Sequence, residues 1–233
     1  MTGAPRCRAR RRAWVSWSGG KDSAWALHGA LRDPTLTVTG LLTMVTERYQ
    51  RISMHGVRRT LLEMQAARLG LPLVVVELPS PCTNEDYERR LGEAMARAAA
   101  AGVREIVFGD LFLADVRAYR EARCEGTGIT PRFPLWGTDT AQLARGMLAS
   151  GLRATLTCVD PRAVPAELVG RAYDEALLDA LPADADPCGE RGEFHTFVWN
   201  GPDFASPIAV TPGDVVEREG FWFADLLPDL FLR

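Results

Sequence analysis

Ala13-Trp14-Val15-Ser16-Trp17 runs into Ser18-Gly19-Gly20-Lys21-Asp22-Ser23, which runs into the helical pattern Ala24 to Leu31. An apolar strand that turns through two glycines into a helix gathers backbone N–H groups and the positive end of a helix dipole at one point, a cradle for an anion. Gly19 and Gly20 keep side-chain bulk away and tolerate unusual φ. Lys21 adds a mobile charge for a terminal phosphate, and the Ser18 and Ser23 hydroxyls add donors. Asp22 can meet a phosphate only through a cation, which points to Mg²⁺ there. A solvated turn is the alternative reading of so short a stretch, but such a turn need not follow a buried strand or open a helix. The Gly-x-x-x-x-Gly-Lys-Ser/Thr spacing is absent, so this is a different phosphate loop.

Outward from the loop, apolar runs alternate with helical patterns. Trp14 to Trp17, Leu36 to Val45, Leu73 to Leu78, Ile106 to Gly109 and Ala154 to Val159 read as strands, and continuous apolar strands suit a parallel sheet covered on both faces. Val57, Leu61 and Met64 mark a helix stopped by Gly70 and Pro72; Asn84 is a candidate cap for a second helix, and Thr138 or Asp139 for a third, closed by Gly151. The β-α-β-α order predicts an α/β fold with a doubly wound parallel sheet, Rossmann-like, whose ligand lies beyond the carboxyl ends of the strands. From about Asp184, five prolines divide short segments such as Phe194 to Trp199 and Phe221 to Phe223, which predicts a smaller, mainly β C-terminal part. The expected division is a basic leader over 1–12, a nucleotide-binding domain over 13–160 and a C-terminal substrate part over 161–233.

Composition narrows the function class. The chain has 233 residues, 47% hydrophobic and 24% charged, with a net charge of -3, an ordinary globular balance that gives no support to coating nucleic acid. No apolar run approaches the ~20 residues needed to span a bilayer. Cys7, Cys82, Cys124, Cys158 and Cys188 stand singly, without a CxxC pair, so neither zinc nor a dithiol is indicated and reduced thiols in the cytoplasm are expected. The arginines at 6, 8, 10, 11 and 12 read as a solvated tail.

The second constellation is Cys188-Gly189-Glu190-Arg191-Gly192-Glu193-Phe194-His195-Thr196. Glu193 and His195 project to one face of an extended segment, with Phe194 on the other, a geometry usable for proton transfer. A glycine-rich turn with solvated charges is the competing reading.

The loop resembles that of the ATP pyrophosphatases. Together with Phe108-Gly109-Asp110, Pro134-Leu135-Trp136-Gly137 and the Cys188 to Thr196 segment, in this order from about Trp14 to Phe204, it resembles the diphthine–ammonia ligase family in its short archaeal and bacterial form. The resemblance implies an enzyme that adenylates a carboxylate with ATP and Mg²⁺, releases pyrophosphate and lets ammonia attack. It places Ser18 to Ser23, Gly109 and Asp110 at the nucleotide; His55, which follows the second strand, reads either as a further nucleotide neighbour or as part of a helix-capping turn. Glu190, Glu193 and His195 take the catalytic places, with no one of them singled out as base. Arg120 and Glu121, as an arginine–glutamate pair, fall near the substrate with Thr196, a solvated helix face being the other reading of the pair; Trp136 reads as a core residue or as a substrate neighbour. The substrate is diphthine on elongation factor 2 or, in a bacterial paralogue, a different small carboxylate. A nucleotide sensor without turnover is the alternative of another class, and a homodimer is left open.

Overall fold

The computed structural model of the chain describes residues 9–52 and 56–229. The sequence order strand–loop–helix is realised as β1 (Arg11–Ser16) followed by α1 (Lys21–Arg32). Then come β2 (Leu36–Thr46), α2 (Arg59–Leu69), β3 (Leu73–Leu78), α3 (Asn84–Ala100), β4 (Val103–Val107), α4 (Ala114–Cys124), β5 (Thr130–Arg132) and α5 (Thr140–Ala149). The five strands form an all-parallel sheet in the order β3-β2-β1-β4-β5. The order reverses between β1 and β4, the switch point where open α/β sheets form a crevice at their carboxyl ends.

β1 displays the double burial of a parallel strand. Ala13 and Val15 enter one core cluster, whereas Trp14 enters the other with Leu91, Met95 and Cys124 from α3 and α4. Local signals set the helix ends: Asp139 caps α5 by accepting from Gln142 N, and Gly70 closes α2 in the left-handed conformation. At α3 the cap is Thr83, whose hydroxyl accepts from Asp86 N at 3.1 Å, one residue before the Asn84 expected from the sequence. The two types cap comparably, so the backbone register decided between them.

The chain continues as β6 (Arg153–Val159), β7 (Ala172–Tyr173), α6 (Glu175–Ala180), β8 (Phe194–Asn200), β9 (Val210–Arg218) and β10 (Phe221–Pro228). These strands form a separate antiparallel sheet, β7-β6-β10-β9, with β8 also paired to β6. The run Ala154 to Val159, read with the parallel strands, is a strand of this second sheet. An apolar run reports burial on both faces, and a central antiparallel strand satisfies that equally. One apolar cluster joins Val15, Leu27 and Leu62 of the first part to Leu156, Phe197 and Leu226 of the second.

Arg11 and Arg12, read as the end of a solvated leader, are the first residues of β1. The reason is electrostatic: Glu105 is fully buried on the neighbouring β4, and Arg11 (2.6 Å) and Arg132 neutralise it.

Candidate functional site

Gly19 sits at φ +77°, the left-handed region, and a Cβ there would meet Leu62 Cδ2 at 2.8 Å and Gln65 Oε1 at 2.9 Å. Glycine is required twice over, by conformation and by space. Gly20, in contrast, is extended at φ −89° and serves as the α1 N-cap residue without a side-chain cap. The Ser18 hydroxyl accepts from Gly20 N at 3.3 Å and lies 3.2 Å from Ser23 Oγ, which donates to Gly20 O. Thr196 reaches in from β8, its Oγ1 accepting the Lys21 N–H at 3.1 Å. The second sheet therefore supplies part of the cap of the first helix.

Gln65, missed in the sequence, holds this junction. It is fully buried, accepts from Trp17 Nε1 at 2.9 Å, and donates to Gly19 O at 2.9 Å and Val198 O at 2.6 Å. The one available signal was a lone amide on the buried stripe Leu61, Leu62, Ala66.

Lys21 turns inward instead of standing in the loop as a mobile charge. Its ammonium is buried, 2.9 Å from Asp22 Oδ2, bonded to the Cys188 carbonyl and flanked by the Tyr173 and Phe194 rings at 5.6 and 5.3 Å. Burial by itself lowers its pKa, but Asp22, Cys188 and Asp186 outweigh that and keep the ammonium charged, above its ordinary value. The segment carrying Cys188 is thereby tied to the loop.

The carboxylates of that segment are committed to backbone N–H groups. Glu190 accepts from Leu111 N at 2.7 Å and Phe112 N at 3.4 Å, whereas buried Glu193 accepts from Asp186 N at 3.0 Å and Arg191 N at 2.9 Å. Burial raises the Glu190 carboxyl against the pull of those N–H bonds. At His195, burial first, and the Lys21 charge second, lower the imidazole to about 4. It is a neutral imidazole at pH 7.

A cavity of about 350 Å³ opens beside Ser16, Trp17 and Ser18 and runs along the sheet between α3 and α4. Leu42 and Met44 of β2 and Phe108 after β4 give it apolar walls, and Arg120 lies at its edge. Gly109 brings the β4–α4 turn against the start of α1; a Cβ there would lie 2.8 Å from the Asp22 carbonyl carbon. Asp110 follows directly. Its Oδ2 and Asp22 Oδ1 are buried without a hydrogen-bond partner among the described residues, and Arg120 Nε stands 3.7 Å from the former. Burial raises the Asp110 carboxyl, with Arg120 opposing. The guanidinium of Arg120 also lies over Phe108, 5.1 Å from the ring centroid.

The structure thus gathers Ser18, Gly19, Gly20, Lys21, Asp22, Ser23, Gly109, Asp110, Glu190 and Thr196 around one end of α1, with Glu193 and His195 on the tied segment and Arg120 at the cavity. Glu121 instead pairs with Arg117 at 2.8 Å on the exposed side of α4, and Trp136 packs on Phe133 and Arg117; neither lines the cavity. Arg120 and Glu121 are chain neighbours on α4, and the resemblance that paired them could not tell its inner face from its outer. His55 lies outside the described residues.

Two family descriptions match the chain. Diphthamide synthase N-terminal domain covers residues 11–131, and Diphthamide synthase C-terminal domain covers residues 139–227. Among curated proteins, a diphthine–ammonia ligase of Schizosaccharomyces pombe is 32% identical over 99 residues, 41% of this chain and 16% of that protein's length. The alignment with this relative therefore spans well under half of either chain. Among the described residues, no helix is long and apolar enough to cross a membrane.

Proposed function

The chain belongs to the diphthamide synthase family, and from that premise we propose that it is an ATP-dependent ligase that splits ATP into AMP and pyrophosphate to convert a carboxylate into an amide with ammonia. The observation that carries this reading is the phosphate loop capped by Thr196 from the second sheet, opening beside an apolar cavity of nucleoside size.

In this reading the cavity between Leu42, Met44 and Phe108 takes the adenine and the loop takes the phosphates. Asp22 and Asp110 suit a divalent cation, because each offers a buried oxygen with no hydrogen-bond partner among the described residues. Mg²⁺ is commonly held by one or two carboxylates, with phosphate oxygens and water as its other ligands. Such an ion would neutralise phosphate charge. The Lys21 ammonium keeps the Cys188 to Thr196 segment against the loop and adds positive potential beneath it. Glu190, Glu193 and His195 are the candidates for taking the proton of the incoming amine; His195 is neutral at working pH. The acceptor is diphthine or another carboxylate.

Incubation with ATP, Mg²⁺, ammonium and a panel of carboxylates should give AMP and pyrophosphate in proportion to amide. ADP and orthophosphate would refute the proposal. Replacing His195 by alanine should abolish turnover and spare ATP binding, which separates a ligase from a nucleotide sensor.

A further inference from the structure

The chain between α6 and β8 is turned by two buried carboxylates, Asp186 and Glu193. Asp186 spends three groups on this turn. Its carbonyl accepts from Gly189 N at 2.8 Å, its Oδ2 accepts from Glu190 N at 2.8 Å, and its N–H donates to Glu193 Oε1 at 3.0 Å. Glu193 Oε2 accepts from Arg191 N at 2.9 Å, so the two side chains close the span 186–193 on itself. A buried carboxylate committed to backbone N–H groups of its own turn fixes that turn, because each bond lost would strand a polar group away from water.

Two residues inside that span reach out of it. The Cys188 carbonyl receives the Lys21 ammonium of the phosphate loop. The Glu190 carboxylate receives the N–H groups of Leu111 and Phe112, which directly follow Asp110. The turn therefore ties the loop on one side to the β4–α4 connection on the other. Glu190 Oε1 meets both of those N–H groups only while its own backbone is held, and the bond from Glu190 N to Asp186 Oδ2 holds it. Asp186 is also one of the charges that keep the Lys21 ammonium charged, which gives it a second, purely electrostatic role to be separated from the first.

We propose that Asp186 is a positioning residue of the ligase reaction: by accepting from Glu190 N it sets the Glu190 carboxylate against Leu111 and Phe112, and so sets the turn carrying Asp110 against the phosphate loop. The inference rests on the ligase reading above. In the step it serves, the ammonia lone pair bonds to the acyl carbon and the bond from that carbon to the adenylate oxygen breaks. AMP leaves with the electron pair, and the amine proton passes to a base. Asp186 touches none of these atoms; it acts through Glu190. A misplacement of about 1 Å in such a site costs about 10²-fold in rate.

Three variants of the full chain separate the roles. Asp186→Asn keeps an oxygen that can accept from Glu190 N and removes the charge. Asp186→Ala removes both, and Asp186→Glu keeps the charge but moves the oxygen. Backbone amide exchange at Leu111 and Phe112 should be about tenfold or more faster in the Ala and Glu variants, and within about threefold of wild type in the Asn variant, with the amides of β4 unchanged in all three. With ATP, Mg²⁺, ammonium and the most active carboxylate of the panel above, kcat for AMP formation should fall in the same order at an unchanged KM for ATP. Unchanged exchange at Leu111 and Phe112 in a folded Ala or Glu variant overturns the inference. An Asn variant as impaired as Ala does so too, and an impaired Asn beside a normal Glu variant assigns Asp186 to the Lys21 charge instead. If neither Ala nor Glu folds while Asn does, the bond is structural and the positioning role is overturned. A panel without an active carboxylate tells against the ligase reading, and the exchange comparison still decides whether Asp186 holds the turn.

Discussion

Gln65 and His195 show how single buried side chains define this site. Removing the Gln65 amide leaves the Trp17 indole N–H and the Gly19 and Val198 carbonyls short of a partner in an enclosed place. Gln65→Leu is expected to destabilise the fold by about 2–4 kcal/mol, since each stranded polar group costs about 1–3 kcal/mol and some rearrange. Urea unfolding measures this, and a loss below about 1 kcal/mol would show that the clamp is dispensable. His195 carries a pH signature. Its native pKa of about 4 lies below the ordinary value of 6.5, so between those values the unfolded chain binds a proton that the native chain refuses. Stability therefore rises with pH across that window. Proton NMR should find His195 neutral at pH 5; titration near 6.5 would place it in water. Of these two residues, His195 was legible because a histidine beside glycines and carboxylates is a chemical signal. Gln65 was not, because one amide in an apolar stripe looks like an imperfection until three partners from distant segments converge on it.

At the level of elements, β10 is held to the α2 entry by charge. Burial raises the Asp225 carboxyl, but hydrogen bonds from Arg58 and Arg51 overcome it and bring it down to about 2. A depressed carboxyl contributes stability that is complete above its unfolded value near 3.8 and is lost as pH falls toward 2. Asp225→Asn should cost about 1–2 kcal/mol at pH 7, reduced by the partial exposure of Arg58. The difference from wild type should vanish between pH 4 and pH 2; a constant difference across that range would mean the tie is not ionic. Elements were read more securely than their ties. Leu73 to Leu78 is β3 from end to end, and Asp139 caps α5 as one of two residues proposed for it. The three-residue β5 went unread, since so short a segment has no period and exists only because β4 pairs with it.

For the whole molecule, the shared apolar cluster and the reach of Thr196 to the start of α1 make the two sheets one cooperative unit. Calorimetry should record a single transition with matching van't Hoff and calorimetric enthalpies; two resolved transitions would contradict the common core. The sequence by itself determined the strand–glycine–helix loop, the alternation that builds a parallel sheet and the existence of a β-rich second part. Each of these depends on near neighbours, through backbone freedom at Gly19, burial periodicity and proline spacing. Only the tertiary structure decided which sheet takes Arg153–Val159, that Lys21 turns inward to the Cys188 carbonyl, and that Glu121 and Trp136 face away. Those outcomes depend on desolvation and pairing between residues far apart in the chain, and no local pattern encodes which distant partner a buried charge or an unpaired strand will meet.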